Sequence, residues 1–226
     1  MSGRQDPSTS GPIRSELGGE TPVGDLGGNN KVPGREPLRP PLPKRFYKSA
    51  TVSPSGPPFQ ILLDGRPVKT PKKQSLVVPT EALADAIAAE WAAQGTHVDP
   101  SAMPLTRMSN TALDGVAGNE EALRADIAAY VMIDLLCYRA EGPDTLVSAQ
   151  SAHWDPVLHW ASKRLGCRFK LSQGVMPVAQ PESARAAVLV ALAPAGPLPL
   201  TALHVVTTLT GSAILALALA ERQLGA

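Results

Sequence analysis

The class predicted from this sequence is α+β: a small antiparallel β-meander with a packed helix, followed by a mainly helical domain. Three observations lead there. Residues 46–78 hold short apolar runs punctuated by turn residues. Residues 80–95 carry one apolar stripe at helical spacing. Beyond residue 119 the strand signals give way to apolar stretches bounded by helix-capping residues, Gly and Pro. The expected division is a disordered tail over residues 1–43, an α+β domain over 44–100 and a helical domain over 101–226.

Each element has a local reason. Twenty of the first 43 residues are Pro, Gly or Ser, and large apolar side chains are scarce there. Burial cannot offset the entropy of ordering such a segment. Phe59–Leu63 is an apolar run leading into Asp64-Gly65, a dipeptide suited to the positive φ values of a tight hairpin turn. Val68–Thr70 and Ser75–Val78 continue the meander around Pro71-Lys72-Lys73-Gln74, while Pro54, Pro57 and Pro58 confine the first connection to a loop or an edge. Thr80 can cap a helix on which Leu83, Ile87 and Trp91 recur every fourth residue, and Gly95 supplies its stop.

In the second half, Asn119 with Glu120 and Glu121 starts a helix expected to reach about Arg139, one face lined by Leu123, Ile127, Tyr130, Val131 and Leu135. A second helix is expected to begin with Asp155 as cap and Pro156 in the first turn, or a turn earlier, and to stop at Gly166. A third covers residues 182–193 and a last one residues 200–223. No internal repeat of fixed period is evident.

Composition removes several function classes. With 21 basic and 20 acidic side chains the net charge is +1, so no extended positive field supports a nucleic-acid partner, and 4% aromatic residues supply no row of base-stacking platforms. Cys137 and Cys167 form no CxxC pair and read as reduced, partly buried thiols. No secretory h-region follows the first charges, and Asp6, Glu16, Glu20 and Asp25 break the acid-poor rule of a mitochondrial presequence. The expected location is the cytoplasm.

Chemistry is equally sparse. The four histidines are His97, His153, His159 and His204, and the six-residue spacing of His153 and His159 does not form a zinc pair on one helix face. No metal or cofactor is assigned, and no catalytic residue. Neither a GxSxG elbow nor a GxxxxGK[ST] phosphate loop occurs. Asp134 falls on the stripe of Ile127, Tyr130, Val131 and Tyr138, aiming a carboxylate at or beside the core. A buried charge has to be paired, and Arg139, Arg107 or a tyrosine hydroxyl are its candidate partners, which makes Asp134 a structural buried acid. The alternative is a small soluble enzyme with a site around Asp134, Arg139 and His153.

Two further features bear on partners. His153-Trp154-Asp155-Pro156 with Trp160 forms an aromatic-rich corner suited either to core filling or to contact with a partner. Leu200–Ala220 has one ionisable group in 21 residues, long enough to span a bilayer. Its five Thr and Ser residues and its lack of an aromatic belt or flanking basic clusters favour a buried helix without stable membrane insertion.

A set of local phrases in fixed order narrows the reading: Arg45-Phe46-Tyr47-Lys48, Leu63-Asp64-Gly65-Arg66 with Lys69-Thr70-Pro71, Glu90-Trp91 and Met103-Pro104-Leu105-Thr106, then Asp134–Arg139, Trp154-Asp155-Pro156 and Gly211-Ser212. In order and spacing they resemble the assembly chaperone family of the F-type ATP synthase catalytic head, from about Lys44 to the last residue. The resemblance implies an N-terminal α+β domain and a helical domain. It also implies a non-enzymatic chaperone that uses no ATP or metal and binds the free α subunit as a monomer until assembly displaces it. Family members act in the mitochondrial matrix and in bacteria. They usually continue into an acidic, Trp-containing C-terminal segment, whereas this chain ends at Ala226. Met103, Leu105, Trp154, Asp155 and Trp160 are the candidate partner-binding residues.

Overall fold

The computed structural model describes residues 41–174 and 176–224. The tail expected over residues 1–43 therefore lies, except for its last three residues, outside the described residues. Pro43 is already tied in, its carbonyl accepting from the Val98 amide at 2.8 Å.

Turn chemistry sets the sheet. Asp64 and Gly65 both adopt positive φ, 46° and 77°, and fold β2 (Phe59–Leu63) back onto β3 (Arg66–Pro67). β1 (Ala50–Val52) lies antiparallel along the other edge of β2 with Thr51 opposite Leu62. β4 (Val77–Val78) pairs with the beginning of β2, Phe59 opposite Val78. Val68–Thr70 joins by single bonds instead of a ladder: the Val68 amide donates to Ile61, the Leu76 amide to Val68, and Lys69 bridges Ser75.

Helix α1 (Glu81–Ala92) starts where Thr80 Oγ1 accepts from the Leu83 amide, and it packs on β1, β2 and β4. Ile87 is fully buried in a core shared with Tyr47, Ile61, Leu63, Leu76 and Val78. The helix ends at Ala92, ahead of Gly95, because Gln94 closes it: Nε2 donates to the Glu90 carbonyl and Oε1 accepts from the Asp99 amide. After a 3-10 turn (Pro100–Ala102), α2 (Pro104–Thr111) runs into a π-helical turn (Ala112–Val116).

The helix predicted to reach Arg139 is shorter. α3 (Glu120–Tyr130) gives way to a 3-10 turn (Val131–Ile133), then Asp134 turns extended at φ −58°, ψ 130°. A second 3-10 turn (Leu135–Cys137) leads into β5 (Tyr138–Arg139). The cause is local, since the Asp134 carboxylate accepts from the Leu136 amide two residues on and competes with the helical ladder. β5 pairs in parallel with β6 (Ser172–Gln173), a contact between residues 34 apart that no short-range pattern announces.

α4 (Asp144–Leu165) begins at Asp144, so Asp155 is not a cap and Pro156 lies inside the helix. The carbonyl that Pro156 leaves without a donor belongs to exposed Ala152, where water can serve it. Gly166, at φ 63°, ends the helix as expected. α5 (Glu182–Leu192) follows. The expected last helix is two, α6 (Pro197–Thr210) and α7 (Ala213–Ala220), broken at Gly211 with φ 66°. A second core gathers Ile127, Val131, Leu136, Val188, Leu200 and Ile214. α2 packs against both α1 and α6, and Leu198 of α6 reaches the first core. The antiparallel sheet with one packed helix, followed by helices, agrees with the α+β class. No described helix is long and apolar enough to cross a membrane.

Candidate functional site

The phrases singled out in the sequence turn out to be brackets that tie side chains to backbone. The Arg45 guanidinium donates to four carbonyls: Tyr47 (3.1 Å), Lys48 (3.1 Å), Ala92 (3.3 Å) and Gln94. The last two lie at the C-terminal end of α1, where carbonyls lack intrahelical donors and a cation is favoured. Tyr47 is buried, and its hydroxyl donates to the Trp91 carbonyl at 2.8 Å. Burial raises the pKa of that phenol and keeps it neutral. Asp64 accepts from the Lys48 amide and from both the amide and hydroxyl of Ser49, which hold its carboxyl below the ordinary range.

Glu90 explains two phrases at once. Its Oε1 accepts from the Leu105 amide at 2.6 Å, and its Oε2 from the amide and hydroxyl of Thr106, both at 2.8 Å. These are orphan donors of the first turn of α2, whose own cap residue, Met103, makes no side-chain bond there. Thr70 and the Lys72 amide both bond to the Asp114 carboxylate, fastening the meander to the π turn.

Asp134 does the same work in the helical part. It is fully buried; Oδ1 accepts from the Leu136 amide and Oδ2 from the Ile214 amide, each at 3.1 Å. Burial raises its pKa to about 6, against the opposing pull of Ile214, Ser212, Leu136 and Ala213. Its partners are thus the backbone at the start of α7 and its own loop, not Arg139, Arg107 or a tyrosine hydroxyl. Neighbouring Cys137 is pushed up to about 12 by burial, then by the Asp134 charge, so it is a poor nucleophile.

The aromatic corner is organised by Arg139. Its Nη2 donates to Asp155 Oδ1 at 2.6 Å, its Nε to the Leu136 carbonyl, and its guanidinium carbon lies 5.4 Å from the centre of the Trp154 ring. The pair borders a recess of about 440 Å³ with Gln150, Leu171 and Ser172. Asp134 is fully buried, whereas His153 is exposed and makes no hydrogen bond or ion pair among the described residues. Neither bonds to Arg139, whose partners are Asp155 and the Leu136 carbonyl.

Of the candidate partner-binding residues, Met103 lies in the first core and Leu105 is half-buried against it. Trp154 and Trp160 are half-buried against the second core, and only Asp155 is exposed. The apolar side chains that stand free are others: Leu209 is 81% exposed, Phe46 76%, Val190 74% and Ile133 63%. Residue type does not signal such exposure. Leu209 and Val205 belong to an apolar helix in sequence, and the packing of α6 on α2, the π turn, α3 and α7 decides which face stays uncovered. No group of three or more metal-ligating side chains occurs among the described residues.

An α+β scaffold whose polar side chains brace its own backbone, and whose outer faces carry free apolar side chains, has the features of a protein that acts by holding another protein. Comparison with known proteins agrees. The profile of the ATP12 chaperone protein family matches residues 44–162. Atp12 from Paracoccus denitrificans is 42% identical with a TM-score of 0.73, covering 80% of this chain and 78% of that one; an aspartate-to-lysine mutant of that protein gives the same figures. A candidate chaperone from Agrobacterium tumefaciens is 52% identical with a TM-score of 0.74, over 83% of this chain and 70% of that one. The chain belongs to the ATP12 chaperone family, the assembly-chaperone family its phrases resemble. Its role is that of an assembly chaperone.

Proposed function

We propose that this chain binds the free α subunit of the F-type ATP synthase catalytic head, shields the face that later meets the β subunit, and leaves when that neighbour docks. It does so without catalysis, as a cytoplasmic monomer with an α+β domain before residue 100 and a helical domain after it. One observation supports this beyond family membership. Val205 and Leu209 stand four apart on α6, 40% and 81% exposed, and the Leu135 amide donates to the Gly211 carbonyl at 3.1 Å, setting half-exposed Leu135 beside the end of that helix. Exposed apolar side chains gathered on and beside one helix supply the kind of surface that a protein partner covers. Trp154, Asp155 and Trp160 would widen the contact from the Arg139 corner, with Leu105 contributing its exposed half and Met103 supporting it from below.

Co-expression with the α subunit of the same organism tests the reading. Capture of this chain should bring down α in equal amount and no β; capture of both, or of neither, would end it.

A further inference from the structure

We infer that the recess beside Phe46 is a second docking site, which takes a protein segment bearing an apolar side chain flanked by carboxylates. Phe46 is 76% exposed, yet its neighbours leave it little freedom. Arg45 is fixed by four carbonyls, and Tyr47 is anchored through its hydroxyl to Trp91. The three rings form an edge-to-face ladder, with 5.3 Å between Phe46 and Tyr47 and 5.6 Å between Tyr47 and Trp91. An aromatic side chain held outward by a rigid support has little entropy left to lose on binding, which is the profile of an interface anchor. It borders a recess of about 570 Å³ floored by Tyr47, Leu63, Val68 and Trp91.

The charges on the rim choose the occupant. The rim is basic: Arg66 and Lys69 line it and Lys48 adjoins Asp64, and none of the three forms an ion pair among the described residues. Asp64 also lines the recess and stays ionised, held so by Ser49 and Lys48, so the two lining cations Arg66 and Lys69 outnumber one carboxylate. Apolar floor and an excess of basic side chains on the rim together fit an acidic apolar segment and disfavour a basic one. This deepens the client reading and rests on it for the source of the segment, the α subunit.

The test uses the whole chain and two short probes, acetyl-Asp-Glu-Phe-Asp-Glu-amide and acetyl-Lys-Lys-Phe-Lys-Lys-amide, followed by the indole N–H resonances of Trp91, Trp154 and Trp160. The acidic probe should shift Trp91 alone, and the paired reversal Arg66→Glu with Lys69→Glu should weaken that binding at least about tenfold. Phe46→Ser, exposed and therefore safe for folding, should do likewise. Equal response to both probes, or no movement of Trp91, would overturn the inference. Capture of α by the unaltered chain reports on the client reading separately: if it fails while Trp91 still responds, the client is wrong and the recess stands. If capture succeeds but the charge-reversed chain holds α equally well and Trp91 is silent, the recess is wrong and the client stands.

Discussion

The two cores of this protein are built by different means. Around the meander, charged side chains fasten loops and helix ends: Arg45 serves the end of α1, Asp64 the strand entry and Glu90 the start of α2. The helical part has brackets of its own, Arg124 serving the end of α5 and Gln180 the Lys170 backbone. Among the described residues it also sets a fully buried carboxylate, Asp134, at the start of α7 inside a core of Ala, Leu, Ile and Val. A bracket needs a particular residue at a particular place, whereas an apolar contact accepts many of similar volume. The first region therefore carries most of the recognisable phrases, and the second carries texture.

Removing the buried carboxylate brace of the helical part should have the largest effect. Asp134→Ala leaves the Leu136 and Ile214 amides buried without their carboxylate acceptor, a loss of about 3 kcal/mol in unfolding free energy. Its titration gives the same comparison a pH axis. The folded pKa of about 6 lies above the ordinary value of 3.8, so the folded state binds this proton more tightly. The stability linked to it is complete below the ordinary value and is lost as pH rises through about 6. Between pH 7 and pH 4 the natural chain should therefore gain on Asp134→Asn by on the order of 3 kcal/mol in urea unfolding. Parallel profiles would mean that burial does not govern this group.

Glu90→Ala probes the other region and should cost about 2 kcal/mol, since three donors lose one acceptor group but α2 begins partly at the surface, within reach of water. If both variants cost the same, the contrast between a deep brace and a shallower one would be unfounded. Leu209→Glu should change stability least, within about 0.5 kcal/mol, because the side chain is 81% exposed. It should nevertheless abolish capture of the α subunit. A stable variant that still holds α would separate the α6 face from client binding.

How much could be read in advance follows the same division. The hairpin at Asp64-Gly65 and the helix capped by Thr80 were legible because turn and cap chemistry is local. The end of α3 was not, since an apolar stripe through Leu135 outweighed the one residue, Asp134, that breaks the helix by bonding forward to Leu136. The true start of α4 was hidden because Pro156 is a strong start signal, though here it sits inside a helix at an exposed turn. Trp154 and Asp155 were legible as a corner, but their organiser, Arg139, arrives from strand β5. Uncovered side chains such as Leu209 and Phe46 were least legible, because exposure belongs to the assembled fold and not to the residue.

In the proposed role this chain holds α only until its native neighbour arrives. Purified complex of the chain with α, mixed with β and followed by native mass spectrometry, tests it most directly. The expected result is a one-to-one complex that loses the chaperone as α–β species form. A ternary complex that keeps the chaperone bound, or a complex indifferent to β, would contradict it.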